Sequence, residues 1–179
     1  MSPRLRLIIL RIIALICVIG VSVSVFLVRD RAEEFMGYGY LGVFVVAFLA
    51  YATVLLPAPA IAIAFTWGSV FHPVGVALAA GAGATLGETV GYLAGFSGQV
   101  VLERVAFYQR LTNFMRKNGP LTIFLLSSFP NPLFDVAGAA AGALKMPLPK
   151  FLFSCWLGQT VKMFFISFAG STSLGWIFK

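Results

Sequence analysis

Apolar residues in this chain fall in long blocks separated by short charged stretches. The first block, Leu7–Val28, is interrupted only by Arg11, preceded by Arg4 and Arg6, and followed by Arg29, Asp30 and Arg31. It outruns the apolar core of a secretory signal peptide, about 7–15 residues, and ends in charge. The pattern therefore predicts an uncleaved membrane span, with Arg11 snorkelling to the near interface. The second block reaches from Tyr38 to Phe71 and is broken by Pro57-Ala58-Pro59. Each half falls short of the roughly 20 residues that a span needs, and two prolines disfavour a continuous helix. A re-entrant hairpin is expected, with two short spans as the alternative.

The third block, Pro73–Phe96, is long enough to span. From Ser97 to Gly119 the pattern changes. Glu103, Arg104, Arg110, Arg116 and Lys117 alternate with Val101, Leu102, Val105, Phe107, Leu111 and Phe114, the spacing of an amphipathic helix on a membrane surface. The fourth block, Pro120–Leu144, is broken by Pro130-Asn131-Pro132, which predicts a second hairpin. The fifth, Phe151–Ile177, contains Lys162. An internal repeat runs through these blocks. Pro57-x-Pro59, Gly68, Pro73, Gly87 and Gly95 are followed by Pro130-x-Pro132, Gly142, Pro147, Gly158 and Gly170. One span separates the two broken hairpins, so they enter from opposite faces. Paired interruptions of that kind point to a substrate path near the midplane.

Composition narrows the class. The chain has 179 residues, 60% hydrophobic and 11% charged, against about 45–50% and about 25% in soluble domains. That excludes an ordinary cytosolic enzyme, a disordered chain and a nucleic-acid-binding domain. The net charge of +7 comes from basic residues at block ends. With a cytoplasmic N-terminus, the inside carries nine of them, Arg4, Arg6, Arg11, Arg104, Arg110, Arg116, Lys117, Lys145 and Lys150. The outside carries three, Arg29, Arg31 and Lys179. Cys17 and Cys155 lie inside apolar runs without metal spacing, so no metal or other cofactor is expected. His72 and Trp67, Trp156 and Trp176 read as interfacial or core residues.

The exceptions to apolarity carry the candidate chemistry. Glu88 lies roughly 12–14 Å from the cytoplasmic face and Lys162 about 18 Å, at about 1.5 Å per residue. Asp135 follows the second proline pair and belongs near the hairpin tip. An ionisable group at such depth is a functional-site hypothesis with a partner to be found; the bland alternative is a carboxylate–Lys162 pair that only locks the bundle. Asn131 is placed to cap the half-helix that follows it, whose N-terminus would suit a phosphate. Gly75, Ala79, Gly83, Gly87, Gly91 and Gly95 form a small-residue stripe for helix packing, joined by Gly138 and Gly142 on the second hairpin. Hydrolase, metalloprotease and P-loop signatures are absent, so no enzyme is expected.

The stretch Ser128-Phe-Pro-Asn-Pro-Leu-Phe-Asp-Val-Ala-Gly138, followed by Gly142, Pro147 and Phe151, resembles the second re-entrant segment of the DedA/VTT (SNARE-associated) superfamily. Its Pro-Asn-Pro-Leu-Phe-Asp core is most like the vacuole membrane protein branch, and Gly83-x-x-x-Gly87-Glu88-x-x-x-Tyr92 is similar to that branch's Gly-Glu motif. The resemblance covers roughly Gly37 to Gly170. It implies an all-α membrane protein in which two re-entrant hairpins, each followed by a span, form an inverted repeat. The expected layout is an N-terminal helix and flank over 1–36 and the VTT/DedA-like domain over 37–179. That domain divides into hairpin 38–72, span 73–96, surface helix 98–118, hairpin 120–146 and span 150–177. The resemblance also implies scrambling or flipping of phospholipid or polyprenyl-phosphate, with Glu88 and Asp135 as the acidic residues. Bacterial DedA members carry arginines around the second-hairpin proline where this chain has Ser127, Ser128, Leu133 and Phe134. That departure leans toward uncoupled scrambling. A proton-coupled small-solute transporter and a non-transporting assembly scaffold are the competing expectations. The expected partners are membrane lipids, with a homo-oligomer left open and no nucleic acid. The expected location is a prokaryotic cell membrane, multi-pass.

Overall fold

The structure, a computed structural model, describes residues 12, 38–52, 58–97, 106–131 and 133–174. The expected N-terminal span, Ile12 apart, lies outside them, as do Pro57, Pro132, Cys17, Glu103, Arg104 and Trp176. The described residues form six helices and no strand: α1 Tyr40–Ala52, α2 Ala58–Val70, α3 Pro73–Ser97, α4 Ala106–Ser127, α5 Leu133–Ala143 and α6 Leu148–Leu174. Two helices, Pro73–Ser97 and Leu148–Ser173, are long and apolar enough to cross a bilayer.

Local chemistry sets the boundaries. α1 is described to Ala52 and α2 from Ala58, with Pro59 in its first turn. α3 opens on Pro73, the first-turn position where a missing N–H costs nothing. α5 closes with Lys145 N–H on the Gly142 carbonyl and Met146 N–H on the Ala141 carbonyl, both at 3.0 Å. That bonding pattern is a Schellman cap, and Lys145 takes its left-handed position at φ 55°. The expected surface helix and the first arm of the second hairpin are joined in one element, α4, with a kink rather than a gap. Asn118 leaves the helical region there (φ −142°, ψ 62°), and Pro120 supplies no N–H to the preceding turn. Thr122 Oγ1 donates to the Asn118 carbonyl at 2.9 Å, which covers one of the acceptors that the kink exposes.

α3 is the hub. α1 runs parallel to its first half: Gly75 faces the Tyr40 ring, Gly83 faces Phe44 and Phe48, and Gly87 faces Phe48, Tyr51 and Ala52. α6 runs antiparallel to α3, with Gly81 against Thr160 and Ser167 Oγ donating to the Pro73 carbonyl at 3.0 Å. α5 runs antiparallel to the second half of α3, where Gly95 meets Ala139 and Gly142 meets Tyr92 and Phe96. α2 does the same on α6, with Gly68 against Ser167 and Gly170 against Phe65. At each of these crossings backbone lies on backbone, which only a residue without a Cβ allows.

The glycine stripe of α3 therefore does not face one partner, as its spacing suggested. A repeat of four overshoots the 3.6-residue turn, so the stripe drifts about 40° per step and about 200° from Gly75 to Gly95. Its early members meet α1 and its last meets α5. Gly91 and Gly138 do not meet neighbouring backbone: the atom nearest a Cβ built at either is Glu88 Oε2, at 4.0 Å and 3.6 Å.

Two apolar clusters result. One gathers Val43, Ala47, Ala64, Val76, Ala80, Ala84 and Met163. The other gathers Tyr92, Leu111, Met115, Ile123, Phe134, Ala137, Ala140, Phe151 and Cys155. Leu78, Leu86, Leu121, Leu125, Phe153, Phe165 and Phe168 are exposed on the outside. A water-soluble surface would not carry so many large apolar side chains, and a lipid-facing one does.

Candidate functional site

The polar residues of the two long helices collect where the apolar clusters meet. On α3, Thr85 and Glu88 lie between Ala84 of one cluster and Tyr92 of the other. On α6, Gln159 and Lys162 lie between Cys155 and Met163. Glu88 is 3% exposed and Lys162 5%, and Gln159 is fully enclosed. Asp135 is half-buried in the first turn of α5, where the positive end of the helix favours a carboxylate. α1 contributes Tyr51 from its last turn. Lys162 Nζ stands 5.0 Å from the centre of the Tyr51 ring, within cation–π range.

Glu88, Asp135 and Lys162 are close enough to interact electrostatically: Lys162 attracts both carboxylates, and the carboxylates repel each other. Several polar atoms here have no hydrogen-bond partner among the described residues. They are Glu88 Oε1, Tyr51 Oη and both amide atoms of Gln159; Thr160 Oγ1, likewise without a partner there, faces Gly81 instead. Buried polar atoms without partners are rare, because each costs about 1–3 kcal/mol of desolvation. Those of Glu88, Tyr51 and Gln159 lie along one seam, beside the three ionisable groups. Gly91 and Gly138 belong to it as well, since their missing side chains leave room beside the Glu88 carboxylate.

Glu88, Asp135 and Lys162 are thus brought to one place. Asn131 takes a different role from the N-terminal cap that its position suggested. Its Nδ2 donates backward, to the Leu126 carbonyl at 2.9 Å and the Phe129 carbonyl at 3.1 Å, closing the end of α4. Oδ1 has no partner among the described residues. The physical reason is demand: carbonyls at a helix end lack intrahelical donors, and the turn after α4 brings those of Leu126 and Phe129 to the Asn131 amide. Pro59 lies in the first turn of α2, and Pro130 in the turn before α5. Sequence reasoning did not single out Tyr51, Thr85 or Gln159. The signal was present for Gln159, which stands one helical turn before Lys162 and one after Cys155, so all three share a face of α6.

The family profile of the VTT domain matches residues 56–172. No curated protein and no solved structure matches the chain.

Proposed function

The chain belongs to the VTT-domain family, the DedA or SNARE-associated membrane proteins, and on that premise we propose that it is a lipid scramblase. Phospholipid or polyprenyl-phosphate headgroups cross along the seam that holds Glu88, Asp135, Lys162, Tyr51 and Gln159, while the acyl tails stay in the bilayer. The observation that carries this reading is the set of unpartnered polar atoms beside three ionisable groups, in helices otherwise apolar. Such groups are costly at membrane depth unless water or a polar substrate reaches them.

We read α1–α2 and the second part of α4 with α5 as re-entrant hairpins entering from opposite faces. Three correspondences support this. α1 follows α3 inward as far as Gly87, and α2 returns along α6 to the level of Pro73. α4 reaches inward to Ser127, which faces Gly158, and α5 returns along α3 to Phe96. Gly68 and Gly170 join α2 to α6 as Gly142 and Gly95 join α5 to α3, so equivalent positions of the sequence repeat make equivalent contacts. The broken ends are then sheltered inside protein, where irregular backbone is tolerated. The distribution of basic residues supports reading the N-terminus as cytoplasmic.

The test is reconstitution into vesicles carrying a fluorescent lipid, with dithionite bleaching the outer leaflet. Protein-containing vesicles are expected to lose the signal of both leaflets. The Glu88→Gln, Asp135→Asn double variant is expected to scramble about tenfold more slowly, the rate consequence of about 1.4 kcal/mol of lost headgroup stabilisation. Equal bleaching with and without protein sinks the reading. So does full activity in a folded double variant.

A further inference from the structure

At the end of the bundle where α3 finishes and α6 begins, the α4 kink and the α5–α6 loop enclose an open groove of about 630 Å³. Arg116 and Lys117 line it from α4, and Lys145, Met146, Pro147 and Lys150 from the α5–α6 side. No carboxylate is among the described residues that line it. Four cations lining one space repel one another; among the described residues that line it, the negative C-terminal end of α5 offsets part of that charge and no carboxylate does. The groove is separate from the Glu88 seam: Asp135 lies at the other end of α5.

The walls are held in place. Tyr92 Oη donates to the Met146 carbonyl at 2.5 Å, and the Tyr92 ring lies 5.0 Å from that of Phe151. Lys145 is the one non-glycine residue with positive φ among the described residues. The position it fills in the Schellman cap is one that glycine takes at no steric cost, whereas an L-residue pays about 1–2 kcal/mol. A lysine kept there at a conformational cost, with its side chain exposed in a cationic groove, points to a use for its charge.

We propose that this groove binds the phosphate group of an anionic lipid headgroup. The volume suits a headgroup, and basic pockets between helices at a membrane face are suited to anionic lipids. The start of α6 adds the positive end of a 27-residue helix. Binding here requires only that the chain lie in a membrane, not that it scramble.

The probes are phosphatidic acid, phosphatidylcholine and inorganic phosphate, added to the full chain in detergent, with retained lipid counted by native mass spectrometry. The wild type is expected to retain phosphatidic acid over phosphatidylcholine. Lys150→Ala and Lys145→Gly are each expected to weaken that retention about fivefold, in line with the contribution of one basic residue near an anionic headgroup. Lys145→Gly is the sharper variant. Glycine relieves the backbone at φ 55°, so its melting temperature is expected to hold or rise while lipid binding falls. A purely structural lysine would not separate the two. Equal retention of both lipids overturns the proposal, as does wild-type retention in both variants. Binding of inorganic phosphate with no lipid retained overturns the lipid assignment. A chain that selects phosphatidic acid but does not scramble leaves the groove standing and sinks only the transport reading.

Discussion

Glycines four residues apart on α3 do different work, and substitution separates them. At Gly95 a Cβ would overlap the Ala139 carbonyl oxygen, backbone that cannot move aside. Gly95→Ala is expected to destabilise the fold by about 1–3 kcal/mol, seen as a lower melting temperature in detergent. At Gly91 a Cβ meets nothing nearer than Glu88 Oε2 at 4.0 Å. Gly91→Ala is expected to be neutral or to stabilise by up to about 1 kcal/mol, because alanine suits a helix interior better. Equal effects at the two positions would contradict the crossing of α3 with α5. The linear sequence marks both glycines alike, since spacing reports periodicity and not the angle at which a neighbour arrives. It also marks Glu88, Asp135 and Lys162, because a charge inside an apolar block stands out. Tyr51 and Gln159 do not stand out, because uncharged polar residues in such blocks are common and only their shared seam gives them meaning.

At the scale of elements, the proline pairs are the clearest features of the chain, and among the described residues the helices break at the second of them. How each break is finished is less clear from the chain. An Asn before a helix reads as its cap, yet Asn131 serves the helix behind it. Asn131→Asp separates the two roles. Aspartate is as good as asparagine at a helix N-cap, but here it would point carboxylate oxygens at the Leu126 and Phe129 carbonyls. Asn131→Asp is expected to lower stability by more than Asn131→Ala, which itself costs about 1 kcal/mol. Thermal melting of the pair checks this, and an aspartate variant as stable as wild type would contradict the backward-facing amide. The α4 kink is clearer. Charge and apolarity forecast two elements meeting around Gly119, and the helix direction changes one residue earlier, where Asn118 leaves the helical region.

At the scale of the whole molecule, two apolar clusters meet along a polar seam, and the seam is where transport is proposed. Where the family resemblance leads one to expect arginines, this chain has Ser127, Ser128, Leu133 and Phe134, a departure that leans toward the proposed uncoupled scrambling over the proton-coupled alternative. Bleaching kinetics are therefore expected to be the same with and without an imposed pH gradient, and acceleration by a gradient would favour the coupled transporter. The membrane class, the apolar blocks, their breaks and the three deep charges were all legible without coordinates. Each follows from the free energy of moving single side chains or backbone groups out of water, which is local to the residue. Which glycine meets which helix, the joining of Thr85, Glu88, Gln159 and Lys162 with Tyr51, and the cationic groove between α4 and the α5–α6 loop were not. They depend on how helices far apart in the chain cross, and close packing of backbone on backbone fixes those crossings only once every helix is in place.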